Sequence, residues 1–328
     1  ENRAAARRSR TMTTPRTPRK FLAWNGVSLQ VPRSWDSAEF RAFALHVAGR
    51  DGQGLDLRWR RTREDFDLRA HLARLAQALG PGASVDQDPG ALPPGWASPR
   101  EGDAARGSLW PFAWRGADGG GLGAVLHRPD TGLTATARFI LPGPAREDDA
   151  ATALAVLDSL DDHPPDGPVP WAAFGIAAVV PGGLELRSFS FTPGHFRLAL
   201  AAPHTGCDLV LDRLGPADAL LDHRTLAQYA DIFYGALGAP AGFFAEAPAP
   251  PGPDGEPRTD PDTVHGAGIL GAPLLARLLR RPWPRARRGR MWRTGIGAVL
   301  LGAFMRAPRD ADLEPFEAIC RDYALDRP

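Results

Sequence analysis

An internal repeat narrows the folds open to this chain more than any other feature. Trp24-Asn25-Gly26 is followed by Leu29, Val31 and Pro32, and Phe174-Gly175 by Val179, Val180 and Pro181. The glycine precedes the proline by six positions in both stretches, 26 to 32 and 175 to 181. Three positions past each proline stands Trp35 or Leu184, and eight past stands Phe40 or Phe189. Self-similarity on this scale marks one structural unit used twice.

The parallel continues along both stretches. Leu55, Leu57 and Trp59 alternate with polar residues, and so do Cys207, Leu209 and Leu211. A period of two is that of a half-buried strand. Leu68, Leu72, Leu75 and Leu79 then form one apolar stripe at helical spacing, ended by Gly80-Pro81. Leu226, Tyr229, Ala230 and Phe233, ended by Gly235, answer it in the second stretch. Late strands follow at 109–114, 122–126 and 133–141, and at 290–293 and 298–305. Closing helices follow at about 148–160 and 310–323.

The spacing therefore predicts an α+β protein of two tandem modules, each an antiparallel sheet flanked by helices. The modules span 20–163 and 171–326, with a Pro- and Asp-rich linker at 161–170. Residues 1–19 read as a disordered basic arm. Residues 247–262 read as a Pro/Gly-rich loop, and 264–293 as a basic insertion that holds a short apolar helix at 269–279.

Composition limits the function classes. A net charge of +1 gives no global preference for nucleic acid or for acidic substrates. Lys20 is the only lysine, and the abundance of Arg, Ala, Gly and Pro is that of a GC-rich bacterial coding sequence, so a single arginine carries little functional information. Two cysteines, Cys207 and Cys320, are too few for a secreted disulfide scaffold and read as buried free thiols. No apolar run is long enough to span a membrane, and no secretory signal is present, which points to the cytoplasm.

The strand and Val-Pro-x-x-Trp corner at Gly26, Val31, Pro32 and Trp35, echoed by Gly175, Val180 and Pro181, resembles the opening of Mog1/PsbP/DcrB-like modules. The second copy departs from it with Leu184 in the place of the Trp. The resemblance implies an antiparallel sheet with helices on both faces, and a binding or assembly role more often than an enzyme. It carries no functional residue over.

His195, His204, Cys207 and His223 share one stretch but match no zinc spacing, so no metal is assigned. No nucleophile elbow is present, and both thiols lie on apolar faces. The acidic runs Glu64-Asp65, Glu147-Asp148-Asp149 and Asp161-Asp162 read as helix-start or linker residues rather than as paired catalytic acids. Gly119-Gly120-Gly121 reads as a hairpin, Gly266–Gly271 lacks the context of a phosphate loop, and no cofactor is assigned.

The remaining cluster is Arg277, Arg280, Arg281, Arg285, Arg287, Arg288, Arg290 and Arg293, interleaved with Trp283 and Trp292. Arginine with aromatic rings suits phosphate and base, or another anionic surface; a solvated hairpin is its plain alternative. The sequence thus points to a non-enzymatic binding or assembly protein that contacts a macromolecular partner through its basic second module. That partner is a protein or an anionic macromolecule, nucleic acid among them. The alternative is an enzyme or small-ligand binder with a cleft between the modules, using His195, His204 and His223.

Overall fold

The computed structural model describes residues 18–62, 65–88, 90, 92–93, 96, 100–101, 107–117, 119–249, 258–269, 286–294 and 298–326. The first half opens with the hairpin β1 (Arg19–Trp24) and β2 (Val27–Pro32). A meander follows: β3 (Asp36–Arg41), β4 (Ala44–Ala48) and β5 (Gly54–Arg61). Helix α1 (Leu68–Ala78) comes next, then β6 (Ser84–Asp86), β7 (Arg100–Glu101), β8 (Ser108–Gly116), β9 (Gly119–Arg128) and β10 (Leu133–Leu141). Helix α2 (Glu147–Leu157) and the short β11 (Asp161–Asp162) close it.

The second half opens with the hairpin β12 (Val169–Ala173) and β13 (Ile176–Val180). Its meander is β14 (Glu185–Thr192), β15 (His195–Ala202) and β16 (Cys207–Leu214). Two helices follow, α3 (Ala217–Leu221) and α4 (Leu226–Gly235), then β17 (Phe244–Ala249), β18 (Arg258–Ile269), β19 (Ala286–Thr294) and β20 (Val299–Ala307). A 3₁₀ turn (Asp310–Leu313), helix α5 (Phe316–Asp322) and β21 (Ala324–Leu325) complete it.

The strands form three antiparallel sheets in the orders β11-β2-β1-β12-β13-β21, β3-β4-β5-β10-β9-β8-β6 (with β7 on β8), and β14-β15-β16-β20-β19-β18-β17. The architecture is α+β. The central six-stranded sheet takes its strands from both halves, joined where Ala23 faces Ala172. Its two hairpins turn at Asn25-Gly26 (φ 44° and 85°) and Phe174-Gly175 (φ 55° and 76°). Two consecutive positive φ values make the tight turn whose twist matches antiparallel strands. A bulky residue rarely adopts this conformation; Phe174 is held there by stacking on Phe196 (4.9 Å) and Phe191 (5.3 Å).

One hydrophobic core runs through both halves. Trp24 sits at its centre, edge-on to Phe40, Trp171 and Phe189 at 5.1, 5.2 and 4.9 Å. Aromatic pairs favour this edge-to-face arrangement. Trp35 is buried where its corner position predicts, with Gly49 against the ring. In α1 the Asp67 side chain caps the Ala70 amide, and the leucine stripe packs on Phe112, Trp114 and Val125. Leu313, Phe316, Ile319, Cys320 and Tyr323 all turn inward, as their spacing implies.

Three stretches differ from the sequence expectation. The linker is shorter, because Asp161–Asp162 pairs with β2 and Val169–Pro170 begins β12. The carboxylate of Asp162 is fully buried and ion-paired with Arg61, so this residue belongs to the fold rather than to a solvated connector. Residues 264–269 and 286–293 are not an insertion beside the sheet. They lie in β18 and β19, internal strands of the third sheet, with Gly266 and Gly268 within a strand rather than before a helix. Ile269 ends β18; the rest of the expected helix at 269–279, and residues 250–257 of the expected loop, lie outside the described residues.

Candidate functional site

The described members of the arginine cluster fall on both faces of one strand. Arg277, Arg280, Arg281, Trp283 and Arg285 lie outside the described residues. Arg287, Arg288, Arg290, Trp292 and Arg293 fall within β19, where successive side chains point to opposite faces of the sheet. Arg287 is buried, beside Arg306 near the end of α4. Arg288 approaches Asp310 at 3.6 Å, and Arg290 lies over the Trp292 ring, which meets Tyr323 edge-on. Arg293 pairs with Asp218 at 2.5 Å.

The three histidines of the alternative reading do not converge. His204 and His223 are exposed, one in the β15–β16 turn and one after α3. His195 alone meets an acid: its Nε2 lies 2.8 Å from Asp212. Asp212 also accepts from Arg197 (2.7 and 3.2 Å) and from the Tyr234 hydroxyl (3.2 Å). The carboxylate is fully buried, and its partners satisfy it. Burial pushes the Tyr234 hydroxyl well above its ordinary pKa. Among the described residues no group of three metal-ligating side chains gathers. Both thiols are buried and free, and burial pushes Cys320 up to about 12, the state of an inert thiol.

The open polar site lies in the first half and was not singled out by sequence. Side chains at 56, 58 and 60 of β5 and at 134, 136 and 138 of β10 share the outer face of the second sheet, and α1 covers only its far side. Between α1 and β5 lies a cleft of about 320 Å³. Arg58, Arg60, Arg74 and Arg138 line it, with Asp56 as the lone carboxylate among the described residues. Asp56 pairs with Arg58 (3.1 Å) and Arg138 (2.6 Å). Arg60 and Arg74 are exposed, and among the described residues neither forms an ion pair. His71 reaches the Thr136 hydroxyl at 2.8 Å. Burial, and then the neighbouring Arg60 and Arg74, hold its imidazole below the ordinary pKa. The cleft therefore carries, among the described residues, an excess of positive charge and two guanidinium groups without an ion pair, the donors that suit carboxylate or phosphate.

The same place in the third sheet is filled. Leu45 faces Phe40 and Leu57, as Leu198 faces Phe189 and Leu211. Counting from these pairs, Asp212 stands where Arg58 does, Gly302 where Thr136 does and Phe304 where Arg138 does. Tyr234 of α4 fills the space over Gly302 and stacks on Phe304 at 5.1 Å. No single residue of the first half announces its site. Alternation along β5 and the lone apolar stripe of α1 are the signals that could have located it.

A second cleft, of about 410 Å³, lies where the halves meet. Its walls are mainly apolar and include Phe43, Trp171, Leu184 and Leu186, with Arg60, His163 and Glu185 also lining it. Arg60 borders both clefts.

No protein-family model matches the chain, and no curated protein does. Among solved structures, it is similar to the solution structure of cyanobacterial PsbP (CyanoP) from Synechocystis sp. PCC 6803. The identity is 12%, over 46% of this chain and 96% of that one, with a TM-score of 0.31. That is a weak PsbP-like resemblance of fold, and no residue role is taken from it. Among the described residues no helix is long and apolar enough to cross a membrane.

Proposed function

We propose that the chain is two tandem α+β modules fused through the central sheet, and that it is a non-enzymatic binding protein for an anionic macromolecular partner. The matching strand orders of the two outer sheets support the duplication. One observation carries the functional part: equivalent sheet faces are filled in the second half, where Tyr234 covers Gly302 and the buried Asp212 is paired, but open in the first, where arginines line a cleft. Fold stability alone gives no reason for that difference, because the filled version of the same face is available to this architecture. The contact is therefore placed at the cleft beside α1, with Arg60 and Arg74, which form no ion pair among the described residues, as its cations, rather than at the arginines of β19.

The test is a salt titration of binding, read by fluorescence anisotropy, with a labelled polyglutamate peptide in one arm and a single-stranded oligonucleotide in the other. The double variant Arg60→Ala/Arg74→Ala should weaken binding and flatten the salt dependence, by roughly 0.7 per lost phosphate contact in the oligonucleotide arm. Its melting curve should stay unchanged, since exposed unpaired charges contribute little to folding. If neither probe binds the wild type at low salt, the cleft is not an anion site.

A further inference from the structure

The two clefts meet at Arg60, one lined by four arginines and the other mainly apolar. We propose that they form one bipartite groove for an acidic polypeptide segment. Its carboxylates would lie against Arg58, Arg60 and Arg74, and one bulky apolar side chain would enter the junction cleft. This rests on the anion-binding reading above and adds the chemistry of the occupant.

Three observations lead to that occupant. The first is charge: among the described residues the α1 cleft holds four guanidinium groups against one carboxylate, so its complement is acidic. The second is length. The run of β5 from Asp56 to Arg60 extends about 13 Å at the rise of a strand, and the junction cleft begins only at its end. A ligand that reaches both clefts spans several extended residues, which a peptide does and a single small anion does not.

The third observation is an asymmetry at the corner after each opening hairpin. In the first half that corner holds Trp35, which is 3% exposed and fills its own surroundings. In the second half it holds the smaller Leu184, and the junction cleft lies against it. Phe43 stands at the same cleft with 54% of its surface exposed. An exposed aromatic beside an apolar cavity suits the burial of a partner's apolar anchor.

The experiment uses the full chain and two labelled dodecapeptides of Glu and Gly, one with a central Phe and one with Ala in its place. Wild type should bind the Phe peptide at least about tenfold more tightly, the factor that burying such a ring supplies. Leu184→Trp should fill the cleft, bring the Phe peptide down to the level of the Ala peptide and leave the Ala peptide unaffected. Phe43→Ala removes an exposed wall and folds without that ring in any core; it should lower the Phe preference several-fold even if Leu184→Trp fails to fold. Equal affinity for both peptides, or a Phe preference untouched by Phe43→Ala, overturns the bipartite groove and leaves the basic cleft standing. If polyglutamate and both peptides fail to bind at low salt while the oligonucleotide binds, the groove falls and the anion-binding reading stands; if the oligonucleotide fails too, both fall.

Discussion

Ala23 and Ala172 face each other across β1 and β12, at the point where the two halves become one sheet. Both side chains are buried, 0% and 3% exposed, so no larger residue fits there without displacing a neighbour. On either side of this pair the core is shared: Trp24 of the first half packs on Trp171 and Phe189 of the second, and Phe40 on Phe174 at 4.8 Å.

Cooperative unfolding of the whole chain follows from this junction. Two separately stable modules would melt in two steps; halves that share their central aromatic cluster should melt in one. Trp24→Ala removes the ring at the centre of that cluster and should cost about 3–5 kcal/mol. In scanning calorimetry the variant should show one transition shifted as a unit. A split transition, with the second half melting at the wild-type temperature, would show that the halves are energetically independent.

Asp162 provides a second test of the junction. Its carboxylate is fully buried, ion-paired with Arg61 and accepting from the Thr131 hydroxyl at 2.5 Å. Arg61 also donates to the Gly26 carbonyl at 3.2 Å and to the His163 carbonyl at 3.0 Å. Asp162→Ala strands a partly buried cation and should cost about 3 kcal/mol in urea unfolding. Adding an Arg61→Met change should recover part of that loss, since the stranded charge goes with it. A double variant no more stable than Asp162→Ala would mean that Arg61 holds the turn by its carbonyl contacts alone.

Stability should also fall on mild acidification. Burial is the largest influence holding His71, His127, His163 and His265 below the ordinary imidazole pKa. For a group whose folded pKa is lowered, the unfolded chain takes up its proton first. The stabilising contribution is complete above the unfolded value of about 6.5, and it is lost as pH falls below that value toward the folded ones. Urea midpoints should therefore drop between pH 7.5 and 5.5, and His71→Gln should make the drop shallower. The raised carboxyl of Asp326, pushed up by burial, acts with the opposite sign, and its window opens upward from the ordinary carboxylate value. A midpoint that rises on acidification would contradict these neutral buried imidazoles.

What could be read from sequence depended on whether it was local. The Gly-to-Pro spacing, the leucine stripe of α1 and the inward face of the closing helix are short-range patterns, and each is found where it was placed. The Asp-rich run at 161–162 looks like a linker by composition; only the distant Arg61 makes Asp162 a core residue. The arginine run looks like one surface along the chain, yet β19 sends those of its members that it holds to two faces of a sheet. The open cleft was illegible for a related reason. It exists because α1 stops short of β5, and because Arg58 and Thr136 stand where Asp212 and Gly302 stand in the other sheet. Both depend on cross-strand neighbours far apart in sequence.

Gly302 and Tyr234 test why the second half's face is closed. A Cβ at Gly302 would collide with the Tyr234 hydroxyl, which is itself fixed by its bond to Asp212. Tyr234 is wholly buried and cannot swing away, so Gly302→Ala should cost about 1–3 kcal/mol by overpacking. Tyr234→Phe alone removes one donor from Asp212, which keeps His195 and Arg197, and should cost about 1 kcal/mol. The two changes should not add. In the double variant the colliding oxygen is gone, and the alanine methyl meets only the ring Cζ at 3.3 Å and the Met291 methyl at 3.4 Å, contacts that small shifts relieve. The combined loss, measured by urea denaturation, should fall below the sum of the single losses by 1 kcal/mol or more, a coupling of the size expected for residues in direct contact. Strict additivity would mean that some other atom limits the space over Gly302, and that Tyr234 is not what closes this face.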